Sequence, residues 1–188
     1  QLEAICLFAG QTAIENDAIA RAVAAGVIVV ANSGNGHEDH LGFPANHPEV
    51  MGVGGVEARR LKTSYSSWGE ALSVMAPAGE PNVDTDGDGF EDEILQETLR
   101  RVCVLGGGNS LVYCRWSGTS FAAPHVVATA ALLLEEHPGA SRDQVRRAIE
   151  EFRTLAETKA PAPTFRPIKN EYRVQVAIAE AQADLDAM

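Results

Sequence analysis

The stretch Gly26-Val27-Ile28-Val29-Val30-Ala31-Asn32-Ser33-Gly34-Asn35-Gly36 decides the fold class. Val27 to Ala31 is an unbroken apolar run rich in β-branched residues, the pattern of a strand buried on both faces of a sheet. Ahead of it, Ala18 to Ala25 is alanine-rich and helix-prone. Glu15 and Asp17 stand near the helix start, where the positive end of the dipole favours carboxylates, and Gly26 stops it. After the strand, Asn32 to Gly36 is polar and glycine-rich. Helix, glycine, buried strand and polar loop in that order predict an α/β fold with a parallel sheet. In such sheets, ligands bind at the loop following the strand's C-terminal end.

Working outward, Val50 to Val56 predicts a second strand despite its three glycines, and Ser73 to Ala76 a short third one closed by Pro77. From Glu80 to Ser117 acidic residues, glycines and short apolar runs predict a long inserted loop. Ser120 to His137 is a strongly apolar helix stopped by Pro138-Gly139, with Pro124 expected in its first turn, where a missing N–H costs nothing. Ser141-x-x-Gln144 is a capping box that opens an amphipathic helix to about Phe152. Ala160 to Pro167, with three prolines, predicts an extended connection, and Tyr172 to Leu185 a final helix. No internal repeat is present.

A chain of 188 residues that is 45% hydrophobic can build one domain with a real core. Its longest apolar runs fall far short of a membrane span. A formal net charge of −11 argues against a nucleic-acid or anionic-membrane partner, since binding phosphates needs a basic face. Three cysteines do not make a disulfide framework and show no zinc spacing. Cys103 and Cys114, 11 residues apart across a glycine-rich turn, could pair in an oxidising compartment or stay as two thiols; Cys6, in the apolar stretch from Ala4 to Phe8, has the setting of a buried strand residue. The chain opens at Gln1, in the middle of what reads as a strand, so its true N-terminus is expected elsewhere.

Three segments, in order, resemble the subtilisin-like serine peptidases. Gly118-Thr119-Ser120-Phe121-Ala122-Ala123-Pro124-His125 is similar to the family's nucleophile motif. Gly26 to Asn35 is similar to the strand and loop that bear its oxyanion-hole asparagine. Phe43-Pro44-Ala45 through Val56, Tyr65-Ser66-Ser67-Trp68-Gly69 and Val74-Met75-Ala76-Pro77 match the segments between those two sites. The resemblance implies a three-layer parallel-sheet subtilisin-like fold, incomplete because its N-terminal half is absent. Residues 1–188 would then be the C-terminal part of the peptidase domain, with an acidic insertion at about 80–115. It implies a secreted enzyme that cuts polypeptide substrates through an acyl-enzyme on Ser120. Asn35 would hold the oxyanion, and Ser33, Gly34 and Gly42 would line the substrate site, with Glu38 and Asp39 at the rim of the specificity pocket.

The physics of these positions agrees. A serine opening a helix lies beside unpaired N–H groups and the positive dipole end, which suits a developing oxyanion, and a small Gly118 lets a peptide approach the backbone. The plain readings are a serine N-cap and an Asn35-Gly36 turn; the complete motif favours the catalytic ones. A serine nucleophile also needs a base oriented by a third group. By resemblance the triad runs Asp, His, Ser, with both earlier members ahead of Asn35. The 34 residues before Asn35 hold no histidine, and their one aspartate, Asp17, lacks any catalytic motif. His37 and His40 follow in the next loop as poor substitutes, while His125 matches the motif's structural histidine. The base and its carboxylate are therefore expected from an N-terminal part of the same domain. Ile5 to Gly10 departs from the family's substrate-binding strand, and Ala71 and Ser73 replace an acidic pair that holds a weak cation in some members. The rival readings are a truncated, inactive pseudopeptidase or binding fragment and a calcium-stabilised adhesion module.

The adhesion reading rests on Asp84-Thr85-Asp86-Gly87-Asp88-Gly89-Phe90-Glu91-Asp92-Glu93. Carboxylates at positions 1, 3 and 5 with glycine at 6 resemble the start of a calcium loop. Asp92 falls at position 9, whereas position 12, normally glutamate, is Leu95. A structural calcium held by Asp84, Asp86, Asp88 and Asp92 is expected, the alternative being a solvated acidic loop.

Overall fold

The computed structural model describes residues 12–103 and 107–159, with side chains as far as residue 151. The expectations for Ile5 to Gly10, Cys6, Ala160 to Pro167 and Tyr172 to Leu185 lie outside the described residues.

Helix α1 (Ala13–Ala24) begins earlier than its alanine content suggests, because Thr12 and Glu15 form a reciprocal capping box. Gly26, at φ +81°, turns the chain out of it. The turn feeds β1 (Val29–Asn32), which pairs in parallel with β2 (Val50–Val56), which in turn pairs in parallel with β3 (Leu72–Pro77). Val29 stands opposite Val50 and Asn32 opposite Val53, and a register shift between Gly52 and Val53 precedes the pairing of Val53 with Val74.

Both faces of this sheet are covered, as the unbroken apolar run requires. On one side Ile28, Val30, Met51, Val53, Val74 and Ala76 pack under α3 (Thr119–Glu136) and α4 (Arg142–Lys159), which contribute Val126, Ala130, Leu133, Val145 and Ile149. On the other side Ala31 and Val50 pack with Leu41, Ala45 and the half-buried Ile19 of α1. The glycines of β2 serve this packing. A Cβ on Gly55 would come within 2.7 Å of the Ala78 Cβ and 2.9 Å of Thr63 Oγ1, so only hydrogen fits there.

The segment from Glu80 to Ser117 is not the irregular loop expected from its composition. It carries an antiparallel ribbon, β4 (Ile94–Leu99) paired with β5 (Leu111–Trp116), with α2 (Arg100–Cys103) between them. A disulfide joins Cys103 to Cys114, with the Cα atoms 6.2 Å apart. Leu95, Leu111 and Tyr113 stand exposed on this ribbon, which is why the segment's hydrophobic pattern resembled no core strand. Pro124 also departs from expectation. Thr119 is the first helical residue of α3, which puts Pro124 in the second turn, where its lack of an N–H forgoes the bond to the Ser120 carbonyl. The Ser141–Gln144 capping box forms as expected and opens a helix that runs past Phe152 to Lys159. Among the described residues no helix is long and apolar enough to cross a membrane.

Candidate active site

The C-terminal ends of the parallel strands converge where α3 begins. The link is a main-chain bond from the Gly118 N–H to the Ala78 carbonyl, 2.9 Å, just beyond β3. Gly118 caps α3 at φ +149°, a conformation that disfavours any side chain. It sets Thr119 wholly inside the protein and Ser120 on the surface.

Thr119 makes the contact that organises the site. Its N–H and its hydroxyl both donate to Asn35 Oδ1, at 2.9 and 2.7 Å. An amide whose oxygen is held by two donors must present its NH₂ group outward. Asn35 is exposed, and its Nδ2 lies 3.5 Å from where a Cβ on Gly118 would stand, beside the start of α3. Of the first N–H groups of α3, Thr119's goes to Asn35 and Phe121's to the Gly118 carbonyl. That of Ser120 meets no acceptor among the described residues. Two N–H donors, from Asn35 and from the Ser120 backbone, therefore remain next to a surface hydroxyl at a positive helix end. Such a pair can receive an oxyanion.

The other expected site residues fall as follows. The Ser33 hydroxyl is not available to a substrate: the residue is buried, and its Oγ meets Ser66 Oγ at 3.3 Å. Gly34, at φ +101°, uses its carbonyl to accept from the Ser67 N–H. These two residues shape the loop from inside. Gly42 is exposed, and a Cβ there would meet nothing within 4 Å, so the space above it is open. Glu38 and Asp39 are exposed and both pair with His40, at 3.4 and 3.3 Å.

No described residue hydrogen-bonds to Ser120 Oγ. His37 turns its Nδ1 to the Ser64 carbonyl and sets its ring edge-on to Trp68, with centroids 4.7 Å apart. His125 is occupied within α3, its Nδ1–H donating to the Phe121 carbonyl at 2.7 Å.

In the acidic segment Asp84, Asp86 and Asp88 come together, one carboxylate oxygen of each lying within 4.8 Å of the others. Asp92 is outside that group, because its Oδ2 accepts from the N–H and hydroxyl of Thr85. The loop is tied to the ribbon through Phe90, whose ring lies 4.6 Å from the Arg115 guanidinium carbon. Sequence reasoning missed Thr119 as part of the site's framework. Thr119 was visible only as a letter of the motif.

A parallel α/β sheet with a serine at a helix start and a fixed amide beside it is the architecture of one class of serine hydrolase. The model of the subtilase family matches residues 7–164. Subtilisin DY of Bacillus licheniformis is 34% identical over 149 residues, covering 77% of this chain and 46% of that protein. Subtilisin E of Bacillus subtilis shows the same identity, with 77% of this chain and 33% of that protein covered. Among solved structures, a protease from Pseudoalteromonas arctica superposes with a TM-score of 0.68 at 24% identity, covering 92% of this chain and 48% of that one. A cold-adapted subtilisin-like serine proteinase gives a TM-score of 0.58 at 27% identity over 76% of this chain and 44% of the other. This chain belongs to the subtilase family, and its fold is an incomplete subtilisin-like α/β fold. It spans less than half the length of these relatives.

Proposed function

We propose that this chain is the nucleophile-bearing, C-terminal part of a serine endopeptidase domain, with the ribbon segment as an insertion in it. The observation that carries the reading is the pair of hydrogen bonds donated by Thr119 to Asn35 Oδ1, which leaves Asn35 Nδ2 and the Ser120 N–H as paired donors. In the reaction a histidine from the N-terminal part of the domain, oriented by an aspartate, takes the Ser120 proton as Oγ attacks the scissile carbonyl. The carbonyl oxygen becomes an oxyanion and accepts from Asn35 Nδ2 and the Ser120 N–H. The tetrahedral adduct expels the amine, which leaves with the proton from the histidine, and water then hydrolyses the acyl-enzyme. Polypeptide substrates would place a large apolar residue over the open space at Gly42, with Glu38 and Asp39 at the rim. Secretion is proposed on the family likeness.

Calcium is proposed for the acidic segment, held by Asp84, Asp86 and Asp88. Three carboxylates at that spacing repel one another, which a bound cation relieves beyond what water and the N–H groups of Gly87, Asp88, Gly89 and Phe90 do, and oxygen ligands suit a hard divalent ion. Its chemistry there is structural: it orders the segment at the base of the ribbon.

The test uses the catalytically complete protein, in which this chain is joined to the segment that carries the aspartate and histidine. Turnover of a peptide substrate that Ser120→Ala abolishes supports the reading. Full-length protein that folds but shows no Ser120-dependent cleavage overturns it in favour of a binding protein.

A further inference from the structure

A polar knot lies between the end of β3 and the start of α3. The Tyr65 hydroxyl points at two carbonyls, Ala78 at 2.9 Å and Gly79 at 2.5 Å. The Ala78 carbonyl is also the acceptor of the Gly118 N–H. The single phenol proton is thus shared between two carbonyls, one of which also receives the N–H of the residue that caps the nucleophile's helix. The loop bearing Tyr65 is itself fixed from below: the Ser64 N–H and hydroxyl donate to the buried Glu80 carboxylate at 2.7 and 2.5 Å. Gly79, at φ +75°, is pressed from the far side. A Cβ there would meet Glu93 Cα at 2.9 Å and the Trp116 carbonyl at 3.1 Å. The chain entering the ribbon and the chain leaving it toward Ser120 therefore bear on the same peptide that Tyr65 holds.

We propose that Tyr65 is a positioning residue for the Ser120 reaction: its hydroxyl holds the Ala78–Gly79 peptide to which Gly118 is bonded, and so sets the Ser120 N–H against the Asn35 amide. The inference rests on the reading of Ser120 as nucleophile. The ring of Tyr65 packs against the core cluster under α3, so a phenylalanine keeps the packing and removes only the donor. The donor is the neutral phenol. Burial holds it protonated, the Glu80 and Glu93 carboxylates add to this, and the Thr63 hydroxyl and Gly118 N–H oppose it. Once ionised, the phenolate would face the Ala78 and Gly79 carbonyl oxygens with no proton to share, and its hold on them would be lost.

The experiment is steady-state kinetics on the catalytically complete protein. Tyr65→Phe is expected to lower kcat on the order of tenfold with KM changed less than about twofold, since a small misplacement acts on the transition state more than on binding. A second variant carries 3-fluorotyrosine at position 65 alone, which keeps the donor but ionises at lower pH. It should retain the parent's kcat near neutrality and lose activity on the alkaline side at lower pH than the parent. Parent turnover that disappears in Ser120→Ala, together with an unchanged kcat in Tyr65→Phe or an unmoved alkaline limb in the fluorotyrosine variant, overturns this proposal and leaves the peptidase reading standing. Absence of Ser120-dependent turnover in the parent overturns both.

Discussion

Asn35 Oδ1 accepts two hydrogen bonds from a single residue, Thr119, one from its N–H and one from its hydroxyl. The two residues are 84 apart in sequence, so the contact locks the loop after β1 to the first turn of α3. It also fixes which end of the amide faces outward. Without the hydroxyl, the backbone N–H alone would hold the oxygen, and the amide could turn more freely.

The first prediction follows directly. Thr119 is fully buried, so Thr119→Val keeps the shape and deletes one donor. In the complete enzyme it should lower kcat about tenfold, the size of one hydrogen bond, with KM little changed. Asn35→Ala should cost more, about 10²–10³ in kcat, the loss that removing an oxyanion-hole donor causes in a subtilisin. Equal kcat in Thr119→Val and the parent would show that the orientation of Asn35 does not depend on that hydroxyl.

The disulfide gives a second prediction. Cys103 ends α2 and Cys114 lies in β5, so their disulfide ties the two together across a sequence separation of 11, and cross-linking so short a stretch is worth about 3 kcal/mol at most. Cys103→Ser with Cys114→Ser should therefore make the ribbon the first place cut by an added protease. Mass mapping of the early cuts checks this. Cuts appearing first in the parallel sheet would contradict it.

The sequence showed the parallel sheet and the nucleophile helix because their signals are local and strong. Val27 to Ala31 has no polar residue to turn to water, and Gly118 to His125 is a complete motif. The ribbon was hidden because a two-stranded ribbon with Leu95, Leu111 and Tyr113 exposed lacks the inward-facing stripe that marks a core strand. The inward turn of Ser33 was hidden too, since its partner Ser66 is 33 residues away. The Tyr65 hold on Ala78 and Gly79 depends on a turn that no periodicity encodes. In each case what the sequence withheld was a long-range polar pairing or a surface-borne element, while apolar packing was legible throughout.

Calcium supplies the third prediction. Titrating it into metal-free protein should protect the segment between Pro77 and Trp116 from proteolysis, and Asp86→Ala should abolish the protection. Asp92→Ala should weaken it less, because Asp92 bonds to Thr85 rather than joining the three clustered carboxylates. Unchanged cutting on adding calcium would rule out the site.

A fourth concerns alkaline pH. The Tyr65 phenol lies above its ordinary pKa, chiefly through burial, with Glu80 and Glu93 reinforcing the shift. The folded state thus holds this proton more tightly than the unfolded chain does. The associated stability is complete below the ordinary phenol pKa of about 10 and is lost as pH rises through the folded value. Tyr65→Phe should flatten the fall in melting temperature over that alkaline range. Parallel curves for the parent and Tyr65→Phe would remove Tyr65 from the account.

The central claim is that Ser120 is a nucleophile whose base comes from outside this chain. A fluorophosphonate probe measures it most directly, because it marks only an activated serine. The isolated chain should be labelled weakly or not at all, since no described residue hydrogen-bonds to Ser120 Oγ and a hydroxyl without a base reacts slowly. Adding the separately made N-terminal part, with its aspartate and histidine, should bring rapid labelling that Ser120→Ala abolishes. Rapid, Ser120-dependent labelling of the isolated chain would contradict the account and turn attention to His37 or His40 as the base.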